Sequence, residues 1–491
     1  MLEQAAVARL KILYVTSECF PFAKAGGLGD VAGALPLALA ARGHDVRVVM
    51  PRYAVTKKHA AAPLAGSLGV PFGPMTVWTR VLRTTLGEDR GAPVPVYFLE
   101  HDRLYDRKGI YDDDNGAYGD NLERYALLSR GGIELCRYLG FEPDVIHVHD
   151  WPTCLVPVYL DTVEASTPIA RAATVLTIHN MAYQGWFARS ELPRSGLPWG
   201  SGALASLEMH GQLNLLKAGI IHSTIVSTVS PRYAAEIQHE AGGEGLDGLL
   251  RARGGDVVGV LNGIDEVTWN PSLDRHIAAP FSADDLGGKA ECKAALQREL
   301  GLPIEPHVPL FGMVSRLVEQ KGVDVVEKVL PALLERGVQV AIVGSGDKGI
   351  EGRFLALSHA SQRFRAWIGM NEGLAHRVEA GSDFFLMPSR YEPCGLNQMY
   401  SQAYGTLPIV RAVGGLDDTV DNGRTGFKFD DLTPEALLGT IDWALSVYAR
   451  SPEQLRAMQQ RAMRKSMGWS MIARQYEALY RLAVRQRRAR F

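Results

Sequence analysis

The feature that most constrains the fold of this chain is a series of short apolar runs that recurs along its whole length. The runs lie at residues 11–16, 46–50, 94–99, 145–148, 174–178 and 224–229, and again at 310–314, 338–343, 384–387 and 407–410. Each is apolar throughout rather than alternating, which is typical of parallel strands buried on both faces. Helical stretches such as residues 30–42 and 121–138 separate them. The pattern predicts two α/β halves, each a doubly wound sheet.

The chain is long enough for two domains. Its 491 residues are 46% hydrophobic and 22% charged, which provides apolar material for two sizeable cores. Residues 257–265 lie between the halves and are the predicted hinge, and residues 472–484 have apolar positions at helical spacing. We predict an N-terminal domain at 1–257, a C-terminal domain at 258–468 and a C-terminal helix at 469–491.

Charge and cysteine content exclude several classes of protein. The formal net charge is −2, so no basic surface points to nucleic acid, and the basic tail at 485–490 is typical of a solvated helix end. Neither a window of ~20 apolar residues nor an apolar run at residues 1–10 occurs, which argues against a membrane span and a signal peptide. The five cysteines form no CxxC pair, which argues against a zinc or redox motif and suits a reducing cytoplasm.

Residues 24–30, with the sequence KAGGLGD, form a glycine-rich loop between the first predicted strand and a helix. The glycines let backbone N–H groups approach an anion closely, and the helix N-terminus adds favourable partial charge. Lys24 is placed to neutralise a phosphate. No Gly-Lys-Ser/Thr follows, so the loop is not a Walker A motif. A tight strand–helix turn explains the pattern equally well.

Two cations follow the first strand of the second half. Arg316 and Lys321 come just beyond a strand end, where ligands of open α/β sheets bind, and they could clamp a diphosphate. Two solvated surface cations are the plainer alternative. Glu392 follows another strand, where a carboxylate can bind sugar hydroxyls or assist charge development. Cys394 has no base tied to it, which argues against a cysteine nucleophile.

Other motifs give weaker signals. Residues 344–349 match GxGxxG, but glycines in any strand–turn produce that match. His147 and His149 would share one face of their strand, yet no third metal ligand is placed beside them. His179 ends a further strand, where a histidine is more often hydrogen-bonded than catalytic. The polar residues 106–120 predict a long loop, either functional or disordered.

Two further groups have a plain interpretation. Asp417 and Asp418 could hold a metal, but acidic residues in the first turn of a helix explain them better. Tyr105, Tyr111 and Tyr118 could stack on sugars, although ordinary loop packing is the simpler interpretation.

The order of the motifs is more specific than any one of them. From about residue 11 to the C-terminal helix, the chain resembles the bacterial glycogen synthase and plant starch synthase family. The resemblance rests on residues 24–30, 149–151, 179–185, 262–265, 315–317, 320–322, 392–396, 404–408 and 414–419. The glycine loop and EPCGL at 392–396 are the parts most specific to that family. Asn397 stands where many bacterial members carry Thr, but plant-type members can have Asn there, so we expect little loss of function.

The resemblance implies a GT-B fold, in which two Rossmann-like domains face a deep cleft and the C-terminal helix crosses back to the first domain. It implies a retaining glucosyltransferase that moves glucose from ADP-glucose to the non-reducing end of an α-1,4-glucan, either glycogen or a maltooligosaccharide, and releases ADP in glycogen synthesis. It further implies a transfer without a metal, and we expect no cofactor. From the charge, hydropathy and cysteine content given above, we expect neither nucleic acid nor membrane as a partner and a cytoplasmic location. No single residue excludes UDP-glucose.

The resemblance also implies a role for particular residues. Glu392 would bind glucose hydroxyls, and Arg316 and Lys321 would hold the diphosphate of ADP. His179 would support positive charge at the anomeric carbon, and Asp150 would line the cleft. The remaining positions share a place in the substrate-binding motifs: Lys24, Gly27, Asp30, Asn180, Asn262, Cys394, Gly395 and Leu396.

The chemistry agrees with these roles. Breaking the glycosyl–phosphate bond leaves negative charge on ADP and an oxocarbenium-like sugar, and fixed cations stabilise that charge where it develops. Closure of the cleft would expel water and limit donor hydrolysis. Retention could use a covalent intermediate, but front-face attack is favoured because no spare carboxylate is marked as a nucleophile.

Two rival functions belong to other classes. An α-glucan phosphorylase would need pyridoxal phosphate on a lysine, and the chain lacks the phosphorylase pattern. A catalytically silent glucan- or nucleotide-binding protein would not need Lys24, Arg316, Lys321 and Glu392 together.

Overall fold

The computed structural model describes residues 9–88, 90–200 and 202–491, which form two compact units. The first unit contains the described chain up to Val229, together with Ala234–Val260 and Trp469–Phe491. The second contains Ser230–Tyr233 and Leu261–Gly468. Most of the N-terminal stretch that bears on a signal peptide lies outside the described residues. No helix of the described part is long and apolar enough to cross a membrane.

The first unit is built around a large sheet. The strands of this unit, in the large sheet and in two small ones, are β1 (Lys11–Val15), β2 (Asp45–Pro51), β3 (Ala62–Pro63), β4 (Leu68–Phe72), β5 (Met75–Leu86), β6 (Val94–Glu100), β7 (Asp112–Asp113), β8 (Gly116–Ala117), β9 (Val145–His149), β10 (Ala173–Ile178), β11 (Trp186–Ala188), β12 (Glu208–Met209), β13 (Gln212–Asn214), β14 (Ile225–Thr228) and β15 (Val257–Gly259). The main sheet has the order β15-β14-β10-β9-β1-β2-β6-β5-β3, with β4 paired to β5.

Helices connect these strands. They are α1 (Gly27–Ala41), α2 (Asp102–Tyr105), α3 (Asn121–Tyr138), α4 (Asp150–Thr153), α5 (Leu155–Asp161), α6 (Ala203–Leu207), α7 (Leu215–His222), α8 (Pro231–Glu236), α9 (Glu240–Gly243) and α10 (Asp247–Arg253). The predicted helix at 121–138 is confirmed by α3, and the one at 30–42 overlaps α1.

The predicted parallel sheet is confirmed in the first unit. All six predicted runs fall on strands, and every pairing from β15 to β6 is parallel. Strands β10, β9 and β1 are neighbours, so their carboxyl ends lie side by side. This edge brings together the segments that follow residues 15, 149 and 178.

The second unit also alternates strands and helices, and its sheet is smaller. Its strands are β16 (Leu310–Val314), β17 (Gln339–Gly344), β18 (Phe364–Ile368), β19 (Phe384–Met387), β20 (Leu407–Arg411) and β21 (Phe427–Phe429). Its helices are α11 (Gly287–Leu300), α12 (Val323–Glu335), α13 (Lys348–Ala360), α14 (Glu372–Gly381), α15 (Asn397–Ala403), α16 (Gly414–Thr419), α17 (Pro434–Arg450) and α18 (Pro452–Met463). The sheet is parallel, with the order β18-β17-β16-β19-β20-β21.

Apolar side chains cover both faces of this sheet. Phe311 and Phe384 belong to a core cluster on one face, and Leu310 and Phe385 to another. Adjacent residues of a strand point to opposite faces, which is why the predicted runs are apolar throughout. The four runs predicted here are confirmed as β16, β17, β19 and β20.

The C-terminal helix, α19 (Trp469–Arg488), belongs to the first unit. The Tyr480 hydroxyl lies 3.0 Å from the Tyr14 hydroxyl and 2.8 Å from His147 Nδ1. Arg487 is only 4% exposed, and its Nη1 donates to Asp161 Oδ1 at 2.8 Å. The prediction of a solvated basic tail is therefore wrong at Arg487, because a carboxylate of α5 neutralises its charge.

Candidate active site

The glycine-rich loop of the first unit is organised around a carboxylate of the chain itself. Glu18 lies just beyond β1 and is only 3% exposed. Its Oε2 accepts hydrogen bonds from the backbone N–H groups of Ala25 and Gly26, at 2.6 and 2.9 Å. A Cβ added at Gly26 or Gly27 would meet no atom within 4 Å. The loop therefore binds an internal anion on one side and is open on the other.

Lys24 and Asp30 pair with each other in this loop. Lys24 Nζ lies 2.7 Å from Asp30 Oδ1, and the two side chains are 44% and 27% exposed. A Cβ added at Gly29 would lie 2.9 Å from Lys24 Cγ, so the glycine lets the lysine stem cross the first turn of α1. The predicted residues Lys24, Gly27 and Asp30 therefore lie together, where the glycine loop and the first turn of α1 are open to solvent.

Asp150 joins two neighbouring strand ends. It begins α4 with a φ of 51°, which is uncommon for a residue other than glycine. Its Oδ1 accepts the backbone N–H of His179, beyond β10, at 2.7 Å. Burial raises the pKa of Asp150 to about 7, and the negative charge of Glu18 adds to this rise. Asp150 therefore changes charge close to neutral pH.

His179 is a neutral group of the same edge. Its Nε2 lies 3.2 Å from His149 Nδ1, so the two rings share a hydrogen bond. Burial lowers the pKa of His179 to about 3 and holds that of His149 well below its usual value. Asn180 follows directly, and its Oδ1 accepts the backbone N–H of Ala182 at 3.0 Å. Near pH 7 His179 offers a dipole rather than a positive charge.

His147 has a structural place behind this edge. The prediction that it shares a face with His149 is confirmed, since the ring centroids are 4.1 Å apart. Its Nε2 lies 2.6 Å from Thr177 Oγ1, and its Nδ1 contacts Tyr480 of α19. In the described ranges no group of three or more His, Cys, Asp or Glu is arranged to hold a metal ion.

The loop at residues 106–120 is ordered, so the alternative of disorder is wrong. It contains the paired strands β7 and β8. The Tyr105 hydroxyl is buried and donates to the Arg124 carbonyl at 2.7 Å, which excludes stacking of this ring on a sugar. The Tyr118 ring lies 4.8 Å from the Arg124 guanidinium. Tyr111 contacts the carboxylate that binds the glycine loop, since its hydroxyl donates to Glu18 Oε1 at 2.6 Å.

The second unit brings its three charged candidates to one edge. Lys321 Nζ lies 2.5 Å from Glu392 Oε2, and Ser389 Oγ donates to the same oxygen at 3.0 Å. Glu392 is 5% exposed, whereas Arg316 is exposed and donates to Gln320 Oε1 at 3.2 Å. The loops that carry them follow the adjacent strands β16 and β19.

The GxGxxG match at residues 344–349 supports that edge by close packing. A Cβ added at Gly344 would lie 1.9 Å from the Ser315 carbonyl oxygen, and one at Gly346 would lie 2.3 Å from the Leu317 carbonyl oxygen. Leu317 N–H donates to the Ser345 carbonyl at 2.8 Å. The glycines therefore let the second strand–helix turn lie against the loop that carries Arg316.

The loop after Glu392 is tightly built. Cys394 is 4% exposed, and burial raises the pKa of its thiol to about 12, which excludes a thiolate nucleophile near neutral pH. Gly395 has a φ of 72°, and a Cβ there would lie 2.5 Å from Gln398 Oε1. Leu396 precedes α15, and Asn397 Nδ2 donates to the Val314 carbonyl at 2.5 Å. The asparagine thus ties α15 to β16.

Two more predicted residues lie near this loop. Asn262 is 6% exposed, and its Oδ1 is buried without a hydrogen-bond partner among the described residues. Its backbone N–H faces the Cys394 thiol. Asp417 lies in the first turn of α16, as predicted, and pairs with Lys428 at 2.6 Å. Asn262 therefore offers an acceptor, whereas Asp417 has a structural partner.

Comparisons with known proteins give the family. The starch synthase catalytic domain family matches residues 11–252, and the glycosyl transferases group 1 family matches residues 301–465. Glycogen synthase of Anaeromyxobacter sp. is 50% identical over 482 residues, covering 96% of this chain and 99% of that protein. Glycogen synthase 1 of Geobacter sulfurreducens is 47% identical over 496 residues, covering 98% of each. The chain belongs to the glycogen synthase family.

Solved structures agree on the fold of this glycogen synthase family member. The catalytic domain of starch synthase IV from Arabidopsis thaliana, bound to ADP and acarbose, is 32% identical with a TM-score of 0.88, over 97% of this chain and 100% of that one. A sucrose-phosphate synthase from Thermosynechococcus elongatus is 17% identical with a TM-score of 0.60, over 96% and 99%. The predicted GT-B fold and glycogen synthase activity are confirmed.

Glu18 is a residue of the site that the sequence did not indicate. It contacts the glycine loop and the 106–120 loop, and its negative charge raises the pKa of Asp150. Its place just after a buried strand, on the edge where ligands of α/β sheets bind, is the signal that could have found it. The family motif at residues 24–30 begins six positions after Glu18 and therefore does not include it.

Proposed function

We propose that this chain transfers glucose from ADP-glucose to the non-reducing end of an α-1,4-glucan, with retention of configuration and release of ADP. The observation that carries the proposal is the pair of Lys321 and Glu392 at the carboxyl edge of the second sheet, with Nζ 2.5 Å from Oε2. This pair puts a cation suited to a phosphate beside a carboxylate suited to sugar hydroxyls.

In this proposal the second unit stabilises the leaving group. Negative charge develops on the diphosphate as the glycosyl–phosphate bond breaks, and Arg316 and Lys321 are fixed cations for that charge. The exposed guanidinium of Arg316 is suited to a bidentate phosphate contact. Glu392 and the backbone N–H groups at Cys394, Gly395 and Leu396 bind the glucose hydroxyls.

The residues of the first unit act on the sugar and its phosphates. Lys24 and the open side of the loop at Gly27 contact the nucleotide sugar, with Asp30 orienting the lysine. Neutral His179, with Asn180, contacts the glucose and supports positive charge at the anomeric carbon. Asp150 adds a negative charge above about pH 7. In the second unit, Asn262 Oδ1, which has no hydrogen-bond partner among the described residues, accepts from a substrate hydroxyl.

Front-face attack is the route to retention that these roles favour. The acceptor hydroxyl attacks on the face that the phosphate leaves, and its proton passes to a phosphate oxygen of ADP. Glu392 is held by Lys321 and Ser389, which fits a binding role better than that of a nucleophile. Asp150 is likewise held by the backbone N–H of His179.

The choice of donor and acceptor draws support from the Arabidopsis starch synthase, whose structure holds ADP and acarbose. At 32% identity over nearly the whole chain, that relative favours an adenine nucleotide and a glucan for this chain also. All five cysteines are free and buried, which supports a reducing cytoplasm as the place of action.

The test is a donor comparison with purified protein and glycogen. ADP-glucose and UDP-glucose are each supplied, and nucleoside diphosphate release is measured together with glucose incorporation. We expect both products with ADP-glucose, with kcat/KM at least about ten-fold above that for UDP-glucose. A reaction without glycogen measures donor hydrolysis. A preference for UDP-glucose would overturn the donor, and no incorporation from either would overturn the function.

A further inference from the structure

Glu18 connects three parts of the first unit that the proposed function uses. One carboxylate oxygen, Oε2, accepts from the N–H groups of Ala25 and Gly26, which follow Lys24 in the glycine loop. The other oxygen, Oε1, accepts from the Tyr111 hydroxyl at 2.6 Å. The carboxylate is buried, so all three bonds form away from bulk water, where charged hydrogen bonds are strongest.

Tyr111 carries this connection into the 106–120 loop. Since its proton is donated to Glu18, its oxygen accepts from Ser17 Oγ at 2.8 Å. Its ring lies 6.3 Å from that of Trp151, the residue after Asp150. Burial and the charge of Glu18 keep the pKa of Tyr111 well above its usual value, so the hydroxyl stays a donor. The loop is thereby fixed to the same carboxylate as the glycine loop.

Glu18 also sets the electrostatic surroundings of Asp150. The other titratable groups that face these two carboxylates come from several elements: Tyr111 from its loop, Tyr125 from α3, His179 from the end of β10 and Cys154 from the start of α5. Burial keeps each of these groups uncharged near pH 7. Lys24 and Asp30, the charged groups of the glycine loop, pair with each other.

We propose that Glu18 is a positioning residue for glucosyl transfer. It holds the glycine loop and the 106–120 loop in fixed positions relative to Asp150. The proposal rests on the proposed function, because the loop and Asp150 are given substrate contacts there. Its hydrogen bonds act on the substrate indirectly, through Ala25, Gly26 and Tyr111. A second effect follows from its charge, since a negative neighbour delays the ionisation of Asp150.

Three variants separate the two effects. Glu18→Ala removes both the hydrogen bonds and the charge. Glu18→Gln removes the charge but keeps an oxygen that accepts from the loop amides, and its amide N–H group then donates to the Tyr111 hydroxyl, which in turn donates to Ser17 Oγ. Glu164→Gln is the matched control, because Glu164 is also a buried carboxylate of the first unit with arginine and threonine partners. Among the described residues, those partners are Arg130, Arg137 and Thr167, which lie outside the site.

The first measurement is kinetic. We expect Glu18→Ala to lower kcat/KM for ADP-glucose by about a hundred-fold, and Glu18→Gln to recover most of that loss. In Glu18→Gln the acid limb of the kcat/KM profile should move to lower pH, because Asp150 then ionises more easily. Glu164→Gln should lower thermal stability without moving the limb. Wild-type kinetics in Glu18→Ala, or an unmoved limb in Glu18→Gln, would overturn the proposal.

The second measurement needs no catalytic activity, so it separates failure of this proposal from failure of the proposed function. Hydrogen exchange is followed in peptides that cover residues 19–30 and 106–120. We expect Glu18→Ala to speed exchange in both segments, Glu18→Gln to stay close to wild type, and Glu164→Gln to leave both unchanged. If Glu18→Ala does not fold, Tyr111→Phe replaces it and should speed exchange in 106–120. Unchanged exchange in 106–120 would overturn the proposal.

Discussion

At the scale of single residues, the ion pair of Lys321 and Glu392 carries the clearest prediction. In the proposed function Lys321 binds the diphosphate of the donor and Glu392 binds its glucose hydroxyls. Removal of either side chain leaves the other as a largely buried charge without its ion-pair partner. We expect Lys321→Ala and Glu392→Ala each to cost about 3 kcal/mol of transition-state stabilisation, which is on the order of a hundred-fold in kcat/KM. Steady-state kinetics with ADP-glucose and glycogen measure the effect.

The second unit supplies a matched control for that ion pair. Lys293 Nζ lies 2.7 Å from Asp383 Oδ2, and both side chains are largely buried. Asp383 precedes β19 whereas Glu392 follows it, so this pair lies at the opposite edge of the sheet. Lys293→Ala should lower the melting temperature and leave kcat/KM of the folded protein near wild type. Equal kinetic losses in the two lysine variants would contradict the assigned roles.

Asp150 is a residue where activity and stability should oppose each other. Its pKa of about 7 lies above the usual value, so the folded state favours the protonated form. The cost of burying its charge is therefore absent at low pH and fully present above about pH 7. Asp150→Asn should raise the melting temperature more at pH 8 than at pH 5, and flatten the acid limb of kcat/KM. A melting-temperature gain that is the same at both pH values would contradict this account.

At the scale of elements, the strand–helix turn at residues 344–349 packs against the loop that carries Arg316 and so positions that residue. A methyl group at Gly344 would overlap the Ser315 carbonyl, so Gly344→Ala must displace the loop after β16. We expect a loss of about 1–3 kcal/mol in the free energy of unfolding and a raised KM for ADP-glucose. Gly352→Ala, where a methyl meets no atom within 4 Å, should be neutral or stabilising. Chemical denaturation and kinetics on both variants check this prediction.

The elements also show how far the sequence could predict the fold. Runs such as β16 and β19 are buried on both faces, so continuous apolar sequence indicated them. The hairpin of β4 and β5 was missed because β5 alternates exposed and buried positions. β18 was missed because it is an edge strand, and only Phe364 in it is fully buried. Strands buried on both faces were therefore predicted from their continuous apolar sequence, whereas partly exposed strands near the edge were not.

At the scale of the whole molecule, the sequence indicated most of the candidate site and missed what holds it. Lys24, Arg316, Lys321 and Glu392 stand in motifs after strands, so the edge rule for α/β sheets located them. The bonds of Glu18 join residues up to 93 positions apart, and no local pattern records them. The buried place of Arg487 depends in the same way on a distant carboxylate.

The central claim concerns the whole molecule: it forms α-1,4 links from ADP-glucose. The most direct measurement supplies ADP-glucose labelled with carbon-13 at the anomeric carbon, together with a maltooligosaccharide, and follows that carbon by NMR. We predict that the label appears as an α-1,4-linked glucose at the non-reducing end, with one ADP released for each glucose added. Label in a β-linkage or only in free glucose, or no transfer, would contradict the account.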